Sequence, residues 1–513
     1  MPESFPISGT ISGNRALQIE EPLIFELGSD GRLGVDLPDP APVDEDRLAG
    51  CRRQGRIGLP DLSEPQVVRH YTRLSQKNYG IDTGFYPLGS CTMKHNPRLS
   101  EKMARLPGLA DLHPFQPQKT VQGALEVIDS LAGWLKDLTG MPAVAMSPAA
   151  GAHGEWCGLM AIRAYHEDHG QGHRRRVLVP ESAHGTNPAS AAMCGFTVDP
   201  IPARDNGRVD VDALKAKLGD DVACIMVTNP NTCGLFEDEI IEIARATHAA
   251  GAFFYCDGAN FNAIVGRVRV ADLGVDTMHI NLHKTFSTPH GGGGPGAGPT
   301  VLSDKLAPYA PLPFVVHGEG GLRLVEHVAE AGGAKPFGRM KGYHGQFGVF
   351  VRALAYIMSM GSDGLRQAST DAVLNANYLL ARLSDVLTPS FDGPCMHECL
   401  FDDRFLKDTG VTTLDFAKAM IDEGYHPMTM YFPLVVHGAL LMEPTETESK
   451  ETLDAFVEVV RGLAFKARSG AAADDFKSAP RYTPRRRLDE TLAARTPVLR
   501  WKPGANATAQ AAE

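Results

Sequence analysis

The amino-acid sequence predicts an α/β protein organised on a mostly parallel sheet, followed by a smaller α+β unit. Three observations carry this expectation. Between Arg176 and Asp257, short apolar runs alternate with helix-like stretches, the pattern of strands joined by crossover helices. Polar residues gather where those runs end, at the carboxyl edge where open α/β sheets place their ligands. The stretch Asp276–Thr300, DTMHINLHKTFSTPHGGGGPGAGPT, then sets a lysine beside a Gly- and Pro-rich backbone that can turn sharply and approach a ligand closely.

Taken in order, residues 1–60 are Pro- and Gly-rich with weak periodicity. They read as an extended arm over another surface, such as a partner subunit. A helical pattern from Glu64 to Asn78 runs through Val67, Val68, Tyr71 and Leu74. It leads to Gly84–Pro97, GFYPLGSCTMKHNP, a crowded polar loop holding Ser90, Cys91, Thr92, Lys94 and His95 and able to line a site. After a helix over Val121–Leu138, an apolar run at Ala143 breaks into small residues and then into a second helical pattern. Bare N–H groups at Gly151, Ala152 and His153 would suit a phosphate, although small residues also open helices for packing reasons alone.

Strands are expected at Val177–Val179, Thr197–Ile201, Val222–Val227 and Phe253–Tyr255, with helices at Asn187–Ala192, Val211–Leu218 and Glu239–Ala249. The intervening loops bring Ser182, His184, Thr186, Thr228, Asn229 and Asp257 towards one face. Val301–Gly342 reads as a connector, Gly345–Leu387 as long helices, and Phe391–Leu400, Leu414–Glu423 and Ser449–Lys466 as strand and helix signals of a second unit. Residues after Ser478 are Pro- and Arg-rich, a tail for a surface or an interface.

Over 513 residues the formal net charge is −11, which disfavours extended binding to nucleic acid or an anionic membrane. No apolar run reaches the roughly 18 residues that span a bilayer, and MPESFPISGT lacks the features of an export signal. Nine cysteines without a repeated framework point to reduced thiols, hence to a soluble, cytoplasmic protein. Cys395 and Cys399 flank His397 and Glu398, but no second Cys/His pair accompanies them, so no metal is expected and a half-buried strand is the better host.

Lys284 follows the short apolar run Met278–Leu282, and Asp257 ends the run in FFYCDGANFN. A carboxylate at the end of a buried strand is costly unless it meets a cation. A protonated pyridine nitrogen is one such cation, and an Asp on that nitrogen together with a Schiff-base lysine is the protein signature of pyridoxal 5′-phosphate (PLP) sites. At an effective dielectric near 20 such a pair is worth about 4 kcal/mol. The alternatives are a helix-capping Asp and a surface lysine. His184 could lay its ring against a flat cofactor or bond to its own loop.

The strings PLGSCTMKHNP, LHPFQP, AAGAHGE, SAHGTNPASA, CDGANFNA, NLHKTFSTPHGGGGPGAGP and EPTETESKETLD closely resemble the P-protein of the glycine cleavage system, in its two-subunit form the second subunit. The resemblance spans nearly the whole chain, and the half that resembles the first subunit in single-chain members is not seen here. It implies PLP fold type I: an N-terminal arm and helices over 1–90, a PLP-binding large domain over 91–342, a small domain over 343–478 and a tail over 479–513. It implies decarboxylation of glycine, with transfer of an aminomethyl group to the lipoyl arm of H-protein, in an α2β2 assembly with subunit 1.

Carried over position by position, Lys284 resembles the Schiff-base lysine, Asp257 the partner of the pyridine nitrogen and His184 the histidine stacked on the ring. Ala259 would pack on the other face, Gly151, Ala152 and His153 would cradle phosphate with His283 beside them, and Thr186 and Thr228 would line the same site. Ser90, Thr92 and Lys94 are candidates for substrate contacts. AGAHGE stands where single-chain members commonly read SGAQGE, which leaves the backbone donors but removes a serine and a glutamine side chain.

Other fold-type-I decarboxylases or desulfurases would share Lys284, Asp257 and His184 but leave PLGSCTMK and EPTETESKETLD unexplained. HGGGG at His290–Gly294 resembles a lipase oxyanion loop, yet the GxSxG elbow of that fold does not occur. A GxGxxG spacing fits only within Gly291–Gly296, where Pro295 argues against the helix a dinucleotide fingerprint must open, so NAD is not expected.

Overall fold

The structure is a computed structural model that describes residues 20–39, 41–42, 47, 49–55, 57–290, 296–469 and 473–500. The glycine run Gly291–Gly294 and the ends of the expected arm and tail lie outside the described residues.

Seven strands form the main sheet: β1 Ala143–Ala145, β2 Arg176–Pro180, β3 Thr197–Ile201, β4 Val222–Thr228, β5 Phe253–Gly258, β6 Thr277–Ile280 and β7 Thr300–Leu302, in the order β1-β7-β6-β5-β4-β2-β3. β6, β5, β4, β2 and β3 pair in parallel, and β7 runs antiparallel to both β1 and β6. The central strands read as unbroken apolar runs because both faces are covered. Ile225, Val227, Phe254 and Met278 pack with Leu131, Leu135 and Phe350 on one face. Val177, Val179, Met226 and Tyr255 pack with Leu159 and Ile162 of the helix Gly151–Asp168 on the other.

A hairpin of β8 Phe314–Gly318 and β9 Gly321–Val325 follows. A second, antiparallel sheet comprises β10 Thr388–Pro389, β11 Cys399–Asp402, β12 Thr429–Met430 and β13 Leu440–Met442, in the order β10-β11-β13-β12. It packs on the helices Thr413–Asp422 and Lys450–Arg468 around Phe401, Phe416, Leu440 and Phe456. One helical stretch, Phe347–Leu383, joins the two cores. Its first half packs Phe350 and Ile357 on the main sheet, and its second half packs Leu379 and Leu383 in the second core. Gly361 breaks it with φ 64°, in the left-handed region that favours glycine.

The expected strand over Phe391–Leu400 is corrected: β11 begins only at Cys399, and the residues before it are loop, exposed at Asp392–Pro394 and buried at Cys395, His397 and Glu398. The segment expected to be a half-buried strand, Cys395–Cys399, buries His397 and Glu398 completely. The loop Gly84–Pro97 reaches this second sheet, since Leu88 bridges Met442, Gly89 N–H donates to Leu441 O at 3.3 Å and Glu443 N–H donates to Pro87 O at 3.2 Å. Two stretches more than 340 residues apart in the chain thereby become neighbours.

Candidate active site

At the carboxyl edge of the main sheet, Thr228, Asp257 and His279 stand side by side, Thr228 in register with Asp257 and Asp257 with His279. They share the face covered by the helix Gly151–Asp168, because side chains alternate along a strand and Met226 and Tyr255, two residues earlier in β4 and β5, pack on that helix. Asp257 is buried and held from several sides. Asn187 Nδ2 donates to Oδ2 at 2.9 Å, the Ala259 amide donates to Oδ1 at 2.9 Å, and His279 Nε2 lies 3.4 Å from Oδ1. His279 is fixed by Tyr255, whose hydroxyl lies 2.6 Å from Nδ1. Burial alone would raise the Asp257 pKa, but the His279 ring, Asn187, the Ala259 amide and the Lys284 charge together hold it below the ordinary carboxylate value.

Lys284 lies not at the strand end but in the single helical turn Leu282–Thr285 that follows β6. Its ammonium donates to the carbonyl of Ser90 at 2.8 Å. His283 beside it lies 3.2 Å, through Nε2, from the Asn281 amide, and accepts from the Ala297 amide at 3.4 Å. Burial, joined by the positive charge of His290 and Lys284, pushes the His283 imidazole down to about 3. His283 is therefore neutral at physiological pH.

The helix opening at Gly151 is seated closely on the loop after β6. A Cβ on Gly151 would stand 2.7 Å from Asn281 Nδ2, and one on Gly298 would stand 2.1 Å from the carbonyl oxygen of Ala150. His153 caps its own helix, accepting from the Ala149 amide at 3.1 Å, and its Nε2 lies 3.2 Å from Met340 O. Ala152 is exposed. His184 is also exposed, on the loop after β2, with Nδ1 at 2.9 Å from Thr186 Oγ1. Thr186 in turn donates to the buried Glu155 at 2.6 Å, tying that loop to the helix Gly151–Asp168.

Lys94 requires a correction. Its ammonium is buried and committed to Glu446 Oε1 at 2.6 Å, Thr285 O at 2.8 Å and Asn262 Oδ1 at 2.9 Å, so no donor remains for a substrate. Ser90 meets Lys284 through its backbone carbonyl, and Ser90 and Thr92 both have left-handed φ, of 62° and 51°. The Thr92 hydroxyl is buried without a hydrogen-bond partner among the described residues, as is that of Thr228. Nothing in the sequence sets His279, Asn187, Glu155 or Asn281 apart as site residues. The one signal for His279 was a polar residue inside an otherwise apolar strand, MHI.

Two family descriptions match the chain, aminotransferase class-V over residues 157–294 and glycine dehydrogenase, C-terminal domain, over residues 368–474. A solved glycine decarboxylase (P-protein) of the glycine cleavage system, in inhibitor-bound form, superposes with a TM-score of 0.68 at 20% identity, covering 82% of this chain and 94% of that one. A glutamate decarboxylase of Lactobacillus brevis superposes with a TM-score of 0.62 at 13% identity, covering 82% and 96%. With its single antiparallel strand in an otherwise parallel seven-stranded sheet, followed by an antiparallel C-terminal sheet, the chain has the PLP-dependent transferase fold of type I.

Sequence relatives narrow this class. The probable glycine dehydrogenase (decarboxylating) subunit 2 of Caulobacter vibrioides is 66% identical over 499 residues, covering 97% of this chain and 95% of that protein. Its counterpart from Pyrococcus furiosus is 50% identical over 492 residues, covering 95% and 97%. The chain belongs to the glycine dehydrogenase (decarboxylating) subunit 2 family.

Proposed function

We propose that this chain decarboxylates glycine with PLP held between Asp257 and Lys284, and passes the aminomethyl group to the lipoyl arm of H-protein within an assembly that includes subunit 1. The observation that carries the reading is the pairing of a buried carboxylate ending β5 with an amine in the turn after the neighbouring β6, in a chain of this family. The residues present fit the cofactor. A helix start without side-chain bulk at Gly151 offers N–H groups for a phosphate. Asp257 offers a charge for a ring nitrogen, Lys284 offers an amine, and the hydroxyls of Thr228, Thr285 and Thr288 are buried without partners among the described residues.

When bound, PLP supplies an electron sink for the pair released as a carboxylate leaves as CO2. Asp257 would keep a proton on the ring nitrogen, and His279 and Asn187 hold Asp257 ionised and aimed for that role. His184, exposed on the loop after β2 and held by Thr186, would offer its ring to one side of the cofactor and Ala259 its methyl to the other. Lys284 would hold the cofactor before substrate binds, and its amine would otherwise be at hand to carry a proton. Asn281 and the neutral His283 would support the phosphate end without adding charge. Among the described residues no helix is long and apolar enough to cross a membrane, and all nine cysteines are unbridged.

The test is borohydride reduction of the chain mixed with PLP, followed by peptide mapping, for wild type and Lys284→Ala. Labelled glycine is then supplied together with subunit 1 and lipoylated H-protein. A pyridoxyl group on Lys284 in wild type, and labelled CO2 that Lys284→Ala reduces by at least a thousandfold, is expected. Label on another lysine would overturn the site, and a labelled Lys284 without CO2 release would overturn the substrate.

A further inference from the structure

Beneath the Ser90–Thr92 loop lies a second buried group of ionisable side chains that the mechanism does not use. Glu398, Glu443 and His397 have no solvent exposure. Glu398 Oε2 accepts from the Ser90 amide at 2.8 Å and Glu443 Oε2 from the Thr92 amide at 2.9 Å. These two bonds hold both residues in left-handed backbone conformations that side chains rarely adopt. The carbonyl of the same Ser90 receives the Lys284 ammonium. The chain of contacts therefore runs from two carboxyl groups, through one strained loop, to the amine of the site.

The other oxygens, Glu398 Oε1 and Glu443 Oε1, have no hydrogen-bond partner among the described residues, nor has either ring nitrogen of His397. The ligand atoms of these three side chains lie within 4.8 Å of one another. Two carboxylates so close in a buried interior repel, and that repulsion with burial drives a proton onto one of them against the pull of the Lys284 charge on Glu398. A cation could also neutralise them, but His397 Nε2 stands 4.0 and 3.9 Å from the two oxygens. A zinc ion bound at about 2.1 Å in tetrahedral geometry would draw such atoms to about 3.4 Å.

We propose that Glu398 and Glu443 form one carboxylate pair carrying a single proton, and that this pair positions Lys284 by holding the Ser90–Thr92 loop. Burial, then the Glu443 carboxylate, raises Glu398 well above the ordinary carboxylate range, which agrees with a shared proton. Both glutamates are positioning residues, acting on Lys284 through Ser90. The importance of that positioning rests on Lys284 being the cofactor lysine.

The experiment uses the full-length chain without added PLP, as wild type, Glu398→Gln/Glu443→Gln, Glu398→Ala and Glu443→Ala. The infrared difference spectrum, wild type minus the double Gln variant, is expected to contain a protonated carboxylic-acid band at pH 8. Amide exchange in the Ser90–Thr92 segment is expected to quicken at least tenfold in each alanine variant and to stay within threefold in the double Gln variant, which keeps both acceptors. Absence of the acid band, or a stoichiometric metal ion in the purified chain, would overturn the shared proton. Unchanged exchange in both alanine variants would overturn the positioning role. Should the alanine variants not fold, fast exchange in the folded double Gln variant overturns it equally. Neither measurement involves the cofactor, so pyridoxyl labelling of Lys284 succeeds or fails independently.

Discussion

At Asp257 and His283, two residues of the same site, burial opposes charge at both, and their surroundings decide opposite outcomes. Asp257 is surrounded by donors and keeps its charge; His283 sits near other positive groups and loses its own. The consequence for stability has a definite sign. The native His283 refuses a proton down to about pH 3, whereas in the unfolded chain the group takes one below its ordinary value of 6.5. Stability carried by the neutral ring is present above that value and is lost as pH falls, by about 2 kcal/mol between pH 7 and pH 5. Urea denaturation of wild type and His283→Asn at both pH values should show this extra loss in wild type only. An equal loss in the two proteins would mean that His283 is protonated in the native state. Asp257 and Lys284 were legible in the sequence because each follows an apolar run. Their supports were not, since His279, Asn187 and Tyr255 become neighbours only when separate strands and helices pack.

At the scale of elements, the seat of the helix Gly151–Asp168 decides where its opening N–H groups point. Gly298 lets that seat form, because the carbonyl oxygen of Ala150 occupies the space a side chain would need. Backbone is in the way, so the clash cannot be relieved by turning a side chain. Gly298→Ala is expected to lower stability by about 1–3 kcal/mol, the ordinary cost of overpacking. Its affinity for PLP should fall with stability, as the helix start is pushed from Asn281. Gly172→Ala, in open space, should change neither quantity. Calorimetry and a PLP titration on the two variants check this; equal melting temperatures would disprove the seat. The strand at Thr197–Ile201 and the helices near Val121, Asn187 and Glu239 were readable from periodicity. The late start of β11 was not, because Cys395–Glu398 is apolar or buried for reasons of the second core and its carboxylate pair rather than of strand pairing.

For the molecule as a whole, Lys94 is a junction. Its ammonium meets the loop after β5 at Asn262, the turn of Lys284 at Thr285 O, and Glu446 beyond β13, while the ring of Tyr356 from the joining helix lies 5.2 Å from it. A buried pair is costly to break from one side, because the remaining charge keeps its desolvation cost without its partner. Lys94→Met should therefore destabilise the chain by about 3–5 kcal/mol, and adding Glu446→Gln should restore half or more of the loss. Denaturant unfolding of the single and double variants measures the coupling. Additive losses would show that Lys94 and Glu446 do not depend on each other.

The apolar runs and their spacing determined, without any structure, that the chain forms a parallel sheet with crossover helices. They also determined that an aspartate stands near the end of one run and a lysine follows the next, since burial of both sheet faces favours apolar strands and gathers most polar residues beyond them. Periodicity carries no information about partners remote in sequence. Only the tertiary structure turned Lys94 from a candidate substrate contact into a buried ion pair. It also brought PLGSCTMK against the segment that begins at Glu443, and placed Glu398 and Glu443 under the loop that receives Lys284. A buried charge is tolerated only where its partner is, and that partner is fixed by packing across the whole chain.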